Sequence, residues 1–193
     1  MTERARRWIG GAFTAVTLGW LLLVLLTPAA LARDVGGRAV TLVSAGTYLV
    51  AGLVCHQRPE RSFHPEGVQM PVCARCAGLY LGAGLGVLAA VGFRRRGGGA
   101  AERPGRRRGG KGAGGGALPP AAGVGEGCGA RANRAPAWLR WAVLAAAAPT
   151  GITFAAEMAG WMPSIGELRA AAGVPLGVAV TWVASLVIRG ELA

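Results

Sequence analysis

Five long intervals without a charged residue constrain this chain more than any other feature. A helix needs about 20 apolar residues to span a bilayer, with a range of roughly 17–25. Only helices and closed barrels satisfy their backbone polar groups in lipid, and the sequence has no alternating barrel pattern. The intervals therefore predict about five transmembrane helices. They cover residues 8–32, 39–55, 76–93, 141–156 and 170–188, with lengths of 25, 17, 18, 16 and 19 residues.

Composition excludes most soluble classes. Apolar residues make up 52% of the 193 residues and charged residues only 16%, against about a quarter in soluble domains. We therefore expect an all-α integral membrane helical bundle, located in the plasma membrane. The predicted divisions are an N-terminal helix at 1–32, a transmembrane hairpin at 39–93, a linker at 94–136 and a helix pair at 137–193.

The first interval has a second interpretation. Arg4, Arg6 and Arg7 form a basic start, and Ala30-Leu31-Ala32 resembles the cleavage site of a signal peptide. The apolar region of a signal peptide is about 7–15 residues long, so this one is too long. A retained helix is the favoured prediction, and cleavage is the alternative.

The segment 94–136 differs from the rest of the chain because it is rich in Arg and Gly and lacks apolar periodicity. Such a composition predicts disorder. Arginine beside a membrane helix orients the protein and attracts anionic lipid head groups, which we expect as the partner of this linker. Nucleic-acid binding is the weaker interpretation. With five spans, fourteen of the 21 Lys and Arg residues would lie inside if the N-terminus is outside.

Three of the four cysteines and both histidines lie within 22 residues. Cys55 and His56 end the second interval, whereas Cys73 and Cys76 begin the third. An antiparallel helix hairpin would bring these ends together at one membrane face. Cys128, one crossing further on, would lie on the opposite face.

A metal centre is the leading interpretation of this cluster. Zinc prefers four nitrogen or sulfur ligands in a tetrahedron, and Cys-x-x-Cys is a common half-site. Cys55, Cys73 and Cys76 with either His56 or His64 would bind one zinc ion, and ligand type leaves iron or copper open. A binding role is expected rather than an enzymatic one.

Two other interpretations remain. A helix N-terminus favours the thiolate form of Cys73 and Cys76, so the pair could exchange disulfides with Cys55 as a third thiol and pass electrons to a quinone. Alternatively, the cysteines have a purely structural role in a membrane subunit that binds partners. Charged residues complete the list of candidates: Arg58, Arg61 and Arg75 surround the cysteines, and Glu157 ends the fourth helix on the same predicted face.

The motif C-H-Q-R-P-E-R-S-F, followed by P-V-C-A-R-C-A-G-L-Y-L-G, resembles the signature of small predicted membrane proteins in the domain-of-unknown-function family 2085. The resemblance also includes Leu168-Arg169, which makes Arg169 a further candidate. Thr153 and Glu157 stand where the family has Asp and Gln. The resemblance implies a membrane fold and no established activity.

Gly78, Gly82 and Gly86 recur every four residues in the third interval. This spacing of small residues is typical of close helix packing in membranes.

Overall fold

The computed structural model describes residues 2–34, 36–98, 137–163 and 165–190. These residues form an all-α bundle of five helices, as predicted. Most of the segment predicted to be disordered, including Cys128, lies outside the described residues, although the third helix extends five residues into it. The helices are α1 (Glu3–Ala32), α2 (Gly37–Gly52), α3 (Ala74–Gly98), α4 (Ala137–Met158) and α5 (Gly166–Arg189).

Four of these helices, α1, α3, α4 and α5, are long and apolar enough to cross a membrane. The second interval, predicted as a fifth span, forms the 16-residue α2. At 1.5 Å per residue α2 is about 24 Å long, against about 30 Å of hydrocarbon. The membrane fold class is therefore confirmed, with α2 too short to count among the candidate spans.

Large apolar side chains face outward from the bundle, whereas small and polar residues lie inside it. Trp8, Leu42 and Trp141 are each more than 70% exposed, whereas Thr181 and Ser185 of α5 are buried. Both buried hydroxyls donate to the carbonyl four residues earlier, which satisfies them without water. This arrangement is typical of a helix bundle surrounded by lipid.

The helices α3 and α5 run parallel and form the most extensive helix pair of the described chain. A Cβ atom on Gly78 would overlap the carbonyl of Ala170, and one on Gly82 would overlap that of Val174. The glycines therefore allow the two backbones to touch, which confirms the packing role predicted from their spacing.

The helices α1 and α4 run antiparallel to this pair. In α1, Trp20 packs edge-on against Tyr80 of α3 at 6.1 Å, and Arg6 donates to the carbonyl of Arg189 at the end of α5. In α4, Thr150 donates to the carbonyl of Ala172 at 2.7 Å.

The bundle consequently has two distinct ends. We call one the thiol end: it contains the C-terminal ends of α1 and α4, the N-terminal ends of α3 and α5, and the loop 55–73. The other is the arginine end, with the N-terminal ends of α1 and α4 and the C-terminal ends of α3 and α5.

Candidate metal centre

Three cysteines meet at the thiol end. Cys55 follows the last turn of α2, where its amide donates to the carbonyl of Ala51 at 2.9 Å. Cys73 directly precedes α3, and Cys76 lies in the first turn of that helix. Their three Sγ atoms all lie within 4.8 Å of one another, and all three thiols are free. The structure therefore brings these three sulfur atoms into one group.

Hydrogen bonds within the sulfur group support negative charge on Cys73. The amide of Cys73 donates to the Sγ of Cys55 at 3.2 Å. A hydrogen bond from the Cys76 thiol, assisted by the backbone amides of Cys76 and Arg75, outweighs burial and lowers the pKa of Cys73 to about 5. Thiolate is the form of cysteine that binds metals and attacks disulfides.

Neither histidine belongs to the sulfur group. In the described part of the chain, one group of at least three Cys, His, Asp or Glu side chains brings its potential ligand atoms together. That group consists of the three cysteines. His56 is exposed and lies at the rim of a cavity above them. His64 is exposed on the loop, just before the short 3-10 turn Pro65–Gly67.

The cavity above the sulfur group has a volume of about 360 Å³. Its wall includes all three cysteines, His56 and two arginines, Arg58 and Arg61. Arg58 lies 3.9 Å from Glu60 and is largely exposed. A metal ion held by the three sulfur atoms would therefore have an accessible side bordered by positive charge.

The loop 55–73 is held by three residues that the sequence analysis did not identify. Gln57 donates through Nε2 to the carbonyls of Tyr48 at 2.7 Å and Pro71 at 2.8 Å. Gln69 donates to the carbonyl of Gln57 at 2.6 Å, and the Tyr48 hydroxyl donates to the carbonyl of Gln69. These bonds fix the loop to α2 and so set the separation of Cys55 from Cys73. The left-handed backbone of Gln57, with φ of 45°, has no signal in the sequence.

An ionic triplet, whose Arg169 is buried and whose other two members are partly buried, lies beside the sulfur group. Glu157 at the end of α4 accepts from Arg169 of α5 at 2.7 and 2.9 Å, and from Arg75 of α3 at 3.4 Å. The Arg75 guanidinium also lies 5.3 Å from the centre of the Phe154 ring. The triplet joins three helices, and its member Arg75 belongs to the same turn as Cys73 and Cys76. With two arginines and one glutamate, the triplet has one net positive charge.

The donor set fits a soft cation. A tetrahedral zinc ion with Zn–S bonds of about 2.3 Å separates its sulfur ligands by about 3.8 Å, so small side-chain movements would bring the three Sγ atoms to that geometry. Cys55 is buried and the other two cysteines are half-buried.

Comparison with known proteins supports the membrane assignment and the motif. Residues 55–101 match a family model described as "Predicted membrane protein (DUF2085)", which confirms the resemblance expected from the sequence. The match contains the three cysteines and both histidines.

Two archaeal relatives share this segment. An uncharacterized protein of Methanocaldococcus jannaschii is 48% identical over 46 residues, covering 24% of this chain and 30% of the relative. An uncharacterized protein of Methanothermobacter thermautotrophicus is 57% identical over 30 residues, covering 16% of this chain and 27% of the relative. The chain thus matches less than a third of the length of these relatives. No solved structure matches it.

Proposed function

We propose that this membrane protein binds one soft metal ion, zinc or a similar cation, between Cys55, Cys73 and Cys76. The observation that carries the proposal is the convergence of three Sγ atoms within 4.8 Å. The amide of Cys73 also donates to the Cys55 sulfur at 3.2 Å, which holds these two cysteines side by side. Metal binding would connect the end of α2 to the start of α3.

The fourth coordination position is the functional part of this proposal. Structural zinc sites are closed by four protein ligands, whereas a site with three protein ligands keeps one position for water or a ligand from outside. The cavity above the sulfur group offers that position, and His56 at its rim is the candidate protein ligand. The proposal therefore includes either closure by His56 or exchange with a small molecule, and His64 is the less favoured ligand.

Metal analysis of purified protein tests the proposal. We expect about one metal ion per chain after purification under reducing, anaerobic conditions. Changing Cys55, Cys73 or Cys76 singly to Ser should weaken binding by more than about 100-fold, since even outer-shell changes cost 10–100-fold. The thiolate-to-cadmium absorption band of the Cd²⁺-loaded protein should decrease in each variant.

The matched control is Cys128→Ser, which removes a cysteine that the sequence places beyond the next membrane crossing. This variant should retain the full metal content. Equal metal loss in Cys128→Ser, or metal-free wild-type protein with all thiols reduced, would contradict the proposal. His56→Ala distinguishes a closed site from an open one, because only a closed site loses affinity.

Thiol–disulfide exchange is the second candidate, and the low pKa of Cys73 favours it. The Cys73 thiolate would attack a partner's disulfide and release one partner thiolate, which takes up a proton. Cys76 would then displace the second partner sulfur, which leaves a Cys73–Cys76 disulfide and a fully reduced partner.

Alkylation of metal-free protein tests this candidate. The lowered pKa keeps Cys73 as thiolate above about pH 5. Its labelling should therefore continue as the pH falls from 8 to 6, and it should stop only below about pH 5. A Cys73–Cys76 disulfide that forms and is reduced again in cells would support exchange. Absence of both metal and such a disulfide would favour a structural, partner-binding subunit.

The remaining assignments are also proposals. We propose the plasma membrane as the location, anionic lipid head groups as the partners of residues 94–136, and the four divisions 1–32, 39–93, 94–136 and 137–193. The contacts of α1 with α3 and α5 support a retained first helix.

A further inference from the structure

We infer that the chain crosses the membrane four times and that α2 lies within one leaflet, at the thiol end, without crossing. The sulfur group then opens to the non-cytoplasmic side, and both ends of the chain face the cytoplasm. This inference does not depend on metal binding.

The two ends of α2 lie at the same end of the bundle. The start of α2 follows the C-terminal end of α1 after a tight turn in which Gly36 has a φ of 101°. The residue after α1, Arg33, pairs with Glu66 of the loop at 2.7 Å. The other end of α2 leads to Cys55, which lies beside Cys73 at the start of α3. Both ends of α2 therefore lie at the thiol end of the bundle.

The helices α1 and α3 run in opposite directions. Leu21 of α1 lies beside Gly84 of α3, and Arg6 and Arg189 meet at the opposite end. Since α1 and α3 are antiparallel and successive spans, the chain between them must begin and end on one side. A spanning α2 would place Arg33 and Glu66 about 30 Å apart, which their ion pair excludes.

The surface of α2 identifies what covers it. Ser44, Thr47 and Ala51 form its buried face. Its outward face has large apolar side chains: Leu42 and Leu49 are each 73% exposed. This face continues through Val43, Val50, Leu53 and Val54, all at least 48% exposed. Polar residues inside and leucines outside are the reverse of a helix in water, and acyl chains of one leaflet fit this face.

The distribution of positive charge indicates which end of the bundle faces the cytoplasm. Six of the 21 Lys and Arg residues lie in segments at the thiol end. The other fifteen lie in the N-terminal segment, the chain from 94 to 140, and the end of α5. The positive-inside rule places the second group in the cytoplasm. Five spans would divide the same residues fourteen to seven, so four spans obey the rule more strongly.

Protease digestion of tagged full-length protein in sealed vesicles tests the number of crossings. One form carries a tag at the N-terminus and another at the C-terminus. We expect both tags to be digested in inverted vesicles and protected in right-side-out vesicles. Tags on opposite faces, or loss of the N-terminal tag by cleavage near residue 32, would overturn the four-span arrangement.

Site-specific labelling tests the position of α2. Leu49→Cys and the matched control Glu60→Cys, on the adjoining loop, are treated with a membrane-impermeant maleimide, and labelled peptides are identified by mass spectrometry. We expect Glu60→Cys to be labelled at least tenfold faster from the non-cytoplasmic side. Equal labelling would show that α2 faces water. Efficient oxidative cross-linking of Leu49→Cys between chains would show that a second copy, rather than lipid, covers the helix.

Discussion

The two ends of the bundle use arginine differently. At the thiol end, arginines pair with acids: Arg169 with Glu157 at 2.7 Å, and Arg33 with Glu66 at 2.7 Å. At the arginine end, the described contacts of Arg6 and Arg189 include hydrogen bonds to backbone carbonyls. Arg6 donates to the carbonyl of Arg189 at 3.0 Å, and Arg189 donates to that of Ala90 at 2.5 Å.

This difference separates two tasks of positive charge in a membrane protein. Five of the nine acidic residues belong to the thiol end, where they nearly balance six arginines. The segments that the sequence assigns to the arginine end carry a large excess of positive charge, an asymmetry of the kind that orients membrane proteins.

The largest effect on stability should come from the ionic triplet. Glu157→Ala leaves Arg169, whose side chain is 6% exposed, without a carboxylate partner. Breaking such a pair typically costs 3–5 kcal/mol, so we expect a loss of about 3 kcal/mol in unfolding free energy. At the other end, Arg6→Ala removes one bond to a carbonyl and should cost about 1 kcal/mol. Denaturant unfolding in one detergent compares the two, and equal costs would contradict the distinction.

An intermediate effect is expected where α3 and α5 touch near the thiol end. Gly78→Ala would force a methyl group into the carbonyl of Ala170 and should cost about 2 kcal/mol. The matched control is Gly92→Ala, near the arginine end of α3, where the added methyl group meets no atom within 4 Å. That control should be neutral or slightly stabilising, because alanine favours helix. Equal destabilisation by both changes would mean that helix propensity, not backbone contact, explains the glycines.

The smallest effect is expected for the exposed pair of the thiol end. Glu66→Gln removes the partner of Arg33, whose side chain is 66% exposed, and should cost less than about 1 kcal/mol. The cost should decrease further in high salt because the pair is screened. A cost that matches Glu157→Ala, or one insensitive to salt, would show that this pair holds the loop as firmly as the ionic triplet holds the helices.

Much of the architecture follows from local sequence. Long uncharged intervals form helices because lipid leaves no other way to satisfy the backbone. The spacing of Cys55, Cys73 and Cys76 at two successive helix ends was sufficient to predict that their sulfur atoms meet. The glycine spacing in α3 likewise predicted a close helix contact, since only glycine lets two backbones approach that far.

Tertiary structure decided the rest, because those features depend on partners that are distant in sequence. Apolar content is the same for a spanning helix and one held in a leaflet, so the proposed placement of α2 depends on tertiary contacts such as the Arg33–Glu66 pair. Because His56 and His64 are close to the cysteines in sequence, both were candidate metal ligands. The loop, which Gln57 and Gln69 hold in place, leaves both histidines outside the sulfur group. The sequence alone determines which segments are apolar enough to enter the membrane and which thiols can meet, whereas long-range contacts determine how the helices pack and what surrounds those thiols.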